Sequence, residues 1–228
     1  MSAQPVTIVV DDTQSVSGLL EVPPQVEAGY VMAHGAGAGM KQAFLAAFAG
    51  DLGERGIATL RYNFPYMERG SKRVDAPRVA HAAVRAAVVA ASKLLPGVAL
   101  FAGGKSFGGR MTSQAQAMAP LPGVRGLAFL GFPLHPAGKP ADERGTHLSQ
   151  VDVPMLFLQG TRDELADLTL LQPLVKSLSP RATLRLFDEA DHSFHVPART
   201  GRKDADVRKE AADAMAAWIA EVTRSAGR

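Results

Sequence analysis

The sequence predicts an α/β fold in three layers: a mostly parallel eight-stranded sheet with helices on both faces and no large lid. Strand-like and helix-like segments alternate along all 228 residues, which favours right-handed crossovers and a parallel sheet. The later strand-like segments are short continuous apolar runs, as in strands that are covered on both faces. No repeat, low-complexity run or long linker divides the chain. We therefore expect a single domain over residues 1–228.

Eight segments have the apolar or β-branched character of strands. In chain order they are residues 6–10, 18–22, 29–33, 57–62, 98–102, 126–131, 154–159 and 182–187. In open parallel sheets, function collects beyond the carboxyl ends of the strands. The polar or glycine-rich segments that follow strands are residues 34–39, 63–71, 103–108, 160–163 and 191–194. We expect the chemistry of the protein to lie in these five segments.

Five segments have the pattern of helices, namely residues 41–55, 77–95, 106–118, 164–178 and 204–224. The second begins at Pro77, and a helix accepts proline in its first turn. In the last, five apolar side chains recur at helical spacing and form one stripe: Val207, Ala211, Met215, Ile219 and Val222. Each helix can therefore connect two neighbouring strands of the sheet or cover one of its faces.

Composition narrows the possible function classes. The formal net charge is only +3 and the basic residues are mostly scattered, so a nucleic-acid partner is not indicated. The chain has no cysteine, which excludes disulfides and thiolate metal sites. The first residues lack the basic start and apolar core of a signal peptide, and no apolar run approaches membrane-spanning length. We expect a cytoplasmic monomer or homodimer with no membrane partner.

Ser106 is the most informative residue of the chain. Residues 104–108 read Gly-Lys-Ser-Phe-Gly and fit G-x-S-x-G, the nucleophile elbow, between a strand-like and a helix-like segment. A serine on such a turn is held in strained backbone geometry, so its oxygen stands clear of the sheet. The helix folds back so closely that side chains at Gly104 and Gly108 would collide with the strand. We expect Ser106 to be a nucleophile.

A histidine and an aspartate follow two of the predicted strands and could serve as the base and the acid of a nucleophilic serine. Serine is a poor nucleophile at neutral pH unless an oriented base takes its proton. His192 follows the last predicted strand, and Asp163 follows the seventh, where its carboxylate can accept a hydrogen bond from the imidazole. The order Ser106, Asp163, His192 is the chain order that accompanies a nucleophile elbow. These three residues form the predicted catalytic triad.

Alternatives remain open for each member of this triad. Ser106 also fits a plain helix N-terminus between two packing glycines. His195 competes with His192 as the base. Asp163 is also placed to cap the following helix, and Glu164 and Asp167 are weaker candidates for the acid. We expect two further histidines, His81 and His147, to lie on the surface.

A glycine-rich turn after the third strand can supply an oxyanion hole. Residues 34–40 read His-Gly-Ala-Gly-Ala-Gly-Met, and such a turn can point a backbone N–H at the carbonyl that the nucleophile attacks. We assign one N–H to Ala36, with Gly37 as the fallback, and the other to Phe107, which follows the serine. His34 is expected to organise its own turn by hydrogen bonding.

Two nucleotide-binding patterns are nearly matched here, and both fail at one position. A phosphate-binding loop ending at Lys105 and Ser106 would need glycine at position 99, which is Ala99. A dinucleotide fingerprint starting at Gly35 would need glycine at position 40, which is Met40. Without a phosphate to bind, Lys105 is expected to face solvent.

Four short motifs together resemble the α/β-hydrolase superfamily over residues 6–224: His34-Gly-Ala-Gly, Gly104-Lys-Ser-Phe-Gly, Gly160-Thr-Arg-Asp and Asp191-His-Ser-Phe. They are most similar to its small, dienelactone-hydrolase-like branch, whose members carry a cysteine where this chain has Ser106. The HGAGAGM and GGKSFGGRM segments also resemble hydrolase-like proteins that include an NSL-complex subunit and a testis-expressed relative. Some of those are thought to be scaffolds. The resemblance implies the α/β-hydrolase fold.

We therefore expect a serine hydrolase that cleaves a small ester, thioester or related acyl substrate through an acyl-enzyme, without metal or organic cofactor. The alternative is a catalytically idle binding or scaffold module. Residues 132–153 are rich in proline, glycine and charge and have room for only one short helix, so we expect an open cleft and a preference for short acyl chains. The expected substrate contacts are Phe64, Tyr66 and Phe132, together with Pro65.

Overall fold

Eight strands form a single sheet in the computed structural model, which describes residues 2–225. They are β1 (Gln4–Asp11), β2 (Gln14–Glu21), β3 (Ala28–Ala33), β4 (Ile57–Tyr62), β5 (Leu100–Lys105), β6 (Val124–Leu130), β7 (Met155–Gly160) and β8 (Ala182–Phe187). Their order across the sheet is β1-β2-β4-β3-β5-β6-β7-β8. Strand β2 pairs antiparallel with β1 and β4, and every other neighbouring pair is parallel. The carboxyl ends of β3 to β8 consequently meet at one edge of the sheet.

Six α-helices cover the two faces of the sheet. They are α1 (Ala43–Gly53), α2 (Pro65–Glu68), α3 (Pro77–Leu94), α4 (Phe107–Met118), α5 (Leu168–Ser177) and α6 (Asp204–Ser225). Buried side chains of α3, α4 and α5 form one apolar core with the sheet, and those of α1 and α6 form a second core on the other face. The predicted three-layer architecture is therefore confirmed.

All eight predicted strands and five predicted helices are present, with shifts of a few residues at their ends. The largest helix shift is in α5, which begins at Leu168 and not at residue 164. The Asp167 carboxylate caps this helix by accepting a 2.8 Å hydrogen bond from the Thr169 N–H. The preceding residues are thereby left as a turn that carries Asp163. Helix α2 was not predicted, although Pro65 stands in its first turn.

In the part of the chain that the structure describes, no large lid covers the carboxyl edge of the sheet. Between β6 and β7 the chain forms a loop and one 3-10 helix, Glu143–Gln150. This matches the prediction that residues 132–153 have room for one short helix only. Within residues 2–225, none of the helices combines the length and the apolar character needed to cross a membrane.

Candidate active site

Ser106 lies on the turn between β5 and α4, in a backbone conformation that serine rarely adopts. Its φ is 51° and its ψ is −117°. The turn is fixed by a 3.1 Å hydrogen bond from the Ser106 N–H to the carbonyl of Leu130. A Cβ atom at Gly104 would lie 2.1 Å from the Ala33 oxygen, and one at Gly108 would lie 2.6 Å from it. Both glycines are therefore required, because the turn and the start of α4 lie directly against the end of β3.

Asp163 and His192 are brought together by the loops that follow β7 and β8. The Nδ1 of His192 lies 2.7 Å from the Oδ2 of Asp163. The Asp163 side chain is fully buried, whereas the His192 side chain is 23% exposed. A buried carboxylate on Nδ1 orients the ring and leaves Nε2 directed away from the acid. The two residues therefore have the geometry of an orienting acid and a base.

Asp163 is held by two further hydrogen bonds. Its Oδ1 accepts from the Leu165 N–H at 2.8 Å, and its Oδ2 also accepts from the side-chain amide of Gln159. The Gln159 oxygen in turn accepts from the Phe132 N–H at 2.9 Å. Sequence reasoning missed Gln159, although it is the one polar residue in the apolar run of β7. Its role is to satisfy a carboxylate that is buried away from water.

Lys105 is buried, contrary to the expectation that it faces solvent. It is only 6% exposed, and its Nζ donates a 2.6 Å hydrogen bond to the His192 carbonyl. The ammonium lies 5.0 Å from the Phe44 ring centre and 5.3 Å from that of Phe194, distances typical of cation–π contacts. Lys105 thus points to the face of the sheet that α1 and α6 cover, where Phe44 and Phe194 pack. Lys105 therefore links the nucleophile elbow to the loop that carries His192.

Ser106 and His192 share the carboxyl edge of the sheet, but no hydrogen bond joins their side chains in residues 2–225. Two observations place Ser106 and His192 in the same region. Lys105, next to the serine, bonds to His192, and a Cβ at Gly131 would lie 3.2 Å from the His192 Nδ1. Gly131 directly follows the strand whose last carbonyl holds the Ser106 N–H. Catalytic hydrogen bonds are often long without substrate, so this geometry is compatible with a triad.

The turn after β3 lies against the serine, as an oxyanion hole requires. A Cβ at Gly35 would lie 3.7 Å from the Ser106 Cβ. The Gly37 N–H is already used, because it donates a 2.8 Å hydrogen bond to the Tyr66 hydroxyl. This bond favours the N–H of Ala36 over the fallback Gly37 as the candidate in this turn. Phe107 begins α4 directly after the serine and supplies the second candidate N–H.

His34 organises this turn, in agreement with the expectation. Its Nδ1 bonds the Gly35 carbonyl at 2.7 Å, and its Nε2 accepts from the Phe64 N–H at 3.1 Å. One ring nitrogen donates and the other accepts, which is the pattern of a neutral imidazole. Burial lowers the pKa of His34, which favours the same neutral form.

The rival base and acid candidates are either exposed or bonded to other groups. His195 is 62% exposed at its side chain, and its Nδ1 lies 2.9 Å from a carboxylate oxygen of Asp204. Asp167 caps α5, and Glu164 is exposed. The geometry therefore favours His192 over His195 and Asp163 over the two alternatives.

The three aromatic residues that we expect to contact the substrate, Phe64, Tyr66 and Phe132, lie inside the protein in this structure. All three side chains are fully buried in the core on the α3 and α4 side of the sheet. The Phe64 ring packs edge-on against Phe107 with ring centres 5.2 Å apart, and Phe132 packs in the same way against Phe129 at 5.2 Å. Ring–ring packing stabilises these aromatic side chains inside the core. They therefore lie beneath the site and pack against residues such as Phe107 that border it.

The cleft that does border the site has a volume of about 460 Å³ and lies beside His192. Its lining is largely charged and includes Arg162, Glu189 and His195 as well as Pro197. Ser106 does not line it. Within residues 2–225, no group of three or more acidic or histidine side chains is arranged to hold a metal ion.

Comparison with known families agrees with this geometry. Residues 26–220 match the family model described as an alpha/beta hydrolase domain. The matched region includes the elbow at Ser106, the turn after β3 and both loops that carry Asp163 and His192. Only the first strands and the end of α6 lie outside it.

Solved structures of bacterial hydrolases share the fold. A dienelactone hydrolase from Anabaena variabilis superimposes with a TM-score of 0.76 at 18% identity, over 96% of this chain and 97% of its own. An alpha-beta serine hydrolase homologue from Coxiella burnetii gives 0.73 at 20% identity, over 92% and 95%. A serine hydrolase without a lid from Xanthomonas campestris gives 0.70 at 22% identity, over 91% of each chain. At these identities the likeness extends to the fold alone.

Proposed function

The chain belongs to the alpha/beta hydrolase domain family, and from that premise we propose that it is a serine hydrolase of small ester, thioester or related acyl substrates. The observation that carries the proposal is the 2.7 Å contact between His192 and the fully buried carboxylate of Asp163, at the same sheet edge as Ser106. A buried aspartate on an imidazole nitrogen serves to orient a base. The strained turn at Ser106 supports the same conclusion, since strain of this kind collects at functional sites.

In the proposed reaction, the Ser106 hydroxyl attacks the substrate carbonyl while His192 takes its proton. Asp163 keeps the ring in the required tautomer and stabilises the imidazolium that forms. The N–H groups of Ala36 and Phe107 donate to the oxyanion of the tetrahedral intermediate. The leaving group receives the proton from His192, and the acyl group stays on Ser106. Water, activated by the same imidazole, then releases the acid and restores the serine.

The proposed substrate is short because little apolar surface is available to bury a long chain. The cleft beside His192 has charged walls, and the aromatic residues near the elbow are already packed in the core. Each methylene that stays in water forgoes about 0.8 kcal/mol of binding free energy. The proposal also includes a single hydrolase domain that acts without a bound cofactor.

Turnover of a series of p-nitrophenyl esters from acetate to palmitate tests this proposal. We expect kcat/KM to be highest for acetate to butyrate and to fall for longer chains, with no jump in rate above the solubility limit of the substrate. A maximum at long chains would contradict the open site. Absence of turnover with every ester and with acyl thioesters would favour the idle, scaffold-like alternative.

A further inference from the structure

Four basic side chains meet beside the nucleophile elbow, where α3, α4 and the 3-10 helix Glu143–Gln150 pack together. They are His81 of α3, Arg110 of α4, and Arg144 and His147 of the 3-10 helix, and they are called the basic cluster below. Both histidines were expected at the surface. His81 is instead buried with 9% exposure, and His147 is half-buried. None of the four takes part in the proposed triad or in the oxyanion hole.

Two polar atoms of the basic cluster are buried without a hydrogen-bond partner. They are the Nδ1 of His81 and the Nε of Arg110. The other ring nitrogen of His81 bonds Gln114 at 3.2 Å, and His147 bonds the Ser113 hydroxyl at 2.8 Å. A buried donor without a partner costs free energy, and a native structure rarely keeps one without a reason. These two atoms are closed off from solvent, whereas the two terminal nitrogens of the Arg110 guanidinium are not among the buried atoms and could donate to a ligand.

The two arginines of the basic cluster are not ion-paired in the described part of the chain. Neither Arg110 nor Arg144 forms an ion pair there, although arginines elsewhere do, for example with Asp51, Asp75 or Asp213. Burial lowers the pKa of Arg110, and the charge of Arg144 lowers it further. Burial, with the charges of Arg110 and His81, lowers the pKa of His147 to about 4.

The pKa of His81 is lowered in the same way. Burial lowers its pKa most, a hydrogen bond from its ring to Gln114 works in the opposite direction, and the charges of Arg85 and Arg110 add to the lowering. Arg85 itself is bound to the carbonyls of Ala115 and Ala119. No carboxylate contributes to any of these shifts. The site is therefore positive, and within residues 2–225 none of its four side chains is ion-paired with a carboxylate.

The basic cluster adjoins the reacting groups. The Arg110 N–H donates a 3.1 Å hydrogen bond to the Ser106 carbonyl, one helical turn earlier. Its guanidinium carbon lies 6.0 Å from the centre of the Phe107 ring, and Phe107 carries one of the two proposed oxyanion donors. A ligand bound by Arg110 would thus lie close to an acyl group on Ser106.

We propose that the basic cluster binds an oxyanion group, a carboxylate or a phosphate, carried by the substrate, so that the enzyme prefers short acyl substrates bearing a negative charge. The guanidinium of Arg110 supplies the fork of donors that matches two oxygens of such a group. Arg144 adds a second positive charge beside it. The substrate assignment rests on the proposed hydrolase function, whereas the anion site does not.

Binding is tested without catalysis on the full-length Ser106→Ala protein, in a chloride buffer, by calorimetric titration with glutarate and separately with inorganic phosphate. We expect saturable binding of at least one, and the stronger ligand identifies the preferred oxyanion. Adding Arg110→Gln or Arg144→Gln should weaken the affinity at least about tenfold. The matched control is Arg78→Gln, which removes the same charge from an exposed position of α3. Equal loss in the control, or no binding of either anion, would overturn the site.

Specificity is tested by kcat/KM for mono-p-nitrophenyl glutarate relative to p-nitrophenyl butyrate. The ratio should exceed one and fall at least about tenfold in Arg144→Gln and Arg110→Gln, but not in Arg78→Gln. If Arg110→Gln fails to fold, as judged by its circular dichroism, Arg144→Gln decides. Anion binding without turnover of either ester would leave the site standing and refute the hydrolase function. Turnover without anion binding or charge preference would refute the anion site and leave the hydrolase function standing.

Discussion

The Nζ of Lys105 donates a 2.6 Å hydrogen bond to the backbone carbonyl of His192. These residues are 87 positions apart, yet one precedes the proposed nucleophile and the other is the proposed base. The rings of Phe44 and Phe194 flank the ammonium and hold it in place. The loop that carries the imidazole is thereby tied to the strand that carries the serine. Lys105 is a positioning residue in this arrangement.

Lys105→Met should lower kcat on the order of 10²-fold, since a displacement of about 1 Å in a catalytic group has effects of that size. KM should change much less, because Lys105 does not line the cleft. Steady-state kinetics with a short ester measure this split. Lys93→Met, at an exposed position of α3, is the matched control and should behave as wild type. A parallel change in kcat and KM, or none, would contradict the positioning role.

The buried ammonium also makes stability depend on pH. Burial lowers the pKa of Lys105 to about 8, although Asp163 and Asp191 raise it in part. Between pH 8 and the ordinary lysine pKa of about 10.5, the unfolded state binds more protons than the native state, so the free energy of unfolding rises with pH. Relative to Lys105→Met, wild type should gain on the order of 1 kcal/mol per pH unit in this range. Urea denaturation at pH 7, 8, 9 and 10 measures the difference, which would stay constant if the account were wrong.

The strained turn predicts that glycine at position 106 gives a more stable protein than alanine. With φ at 51° and ψ at −117°, a Cβ is unfavourable and glycine is not. Ser106→Gly should exceed Ser106→Ala by about 1 kcal/mol in free energy of unfolding. The same pair of substitutions at Ser92, inside α3, should show the opposite order, because helix interiors favour alanine. Equal stability at position 106 would mean that the turn is not strained.

The protein has two hydrogen-bonded Asp–His pairs, Asp163–His192 and Asp204–His195, whose contributions to kcat can be compared. Asp163→Asn or His192→Ala should lower kcat on the order of 10³-fold or more, since each removes part of the oriented base. Asp204→Asn and His195→Ala disrupt the exposed pair and should have little effect. Turnover of one short ester by all four variants decides between the pairs. If His195→Ala lost as much kcat as His192→Ala, the assignment of His192 as the base would be wrong.

The placement of Ser106, Asp163 and His192 at one edge of the sheet could be predicted because it depends on local motifs and strand order. The elbow requires glycines at fixed spacing, and the loops after β7 and β8 must emerge at the edge where β5 ends. The same logic predicts the glycine turn after β3. It requires no knowledge of how side chains pack.

Side-chain burial could not be predicted in the same way. Lys105 and the aromatic residues Phe64 and Phe132 follow or end strands, where a residue can turn either to solvent or into the core. Tertiary packing decides between these directions: Phe44 and Phe194 enclose Lys105, and the neighbouring rings draw the two phenylalanines inward. The basic cluster was missed for the same reason, since its four residues come from three separate helices.

Intact-mass spectrometry after reaction with a serine-directed fluorophosphonate tests the central claim, that Ser106 is an activated nucleophile. The claim predicts a single adduct on wild type, none on Ser106→Ala, and strongly slowed labelling of His192→Ala, with all three proteins folded by circular dichroism. An adduct that persists in Ser106→Ala, or a wild-type protein that never reacts, would contradict it.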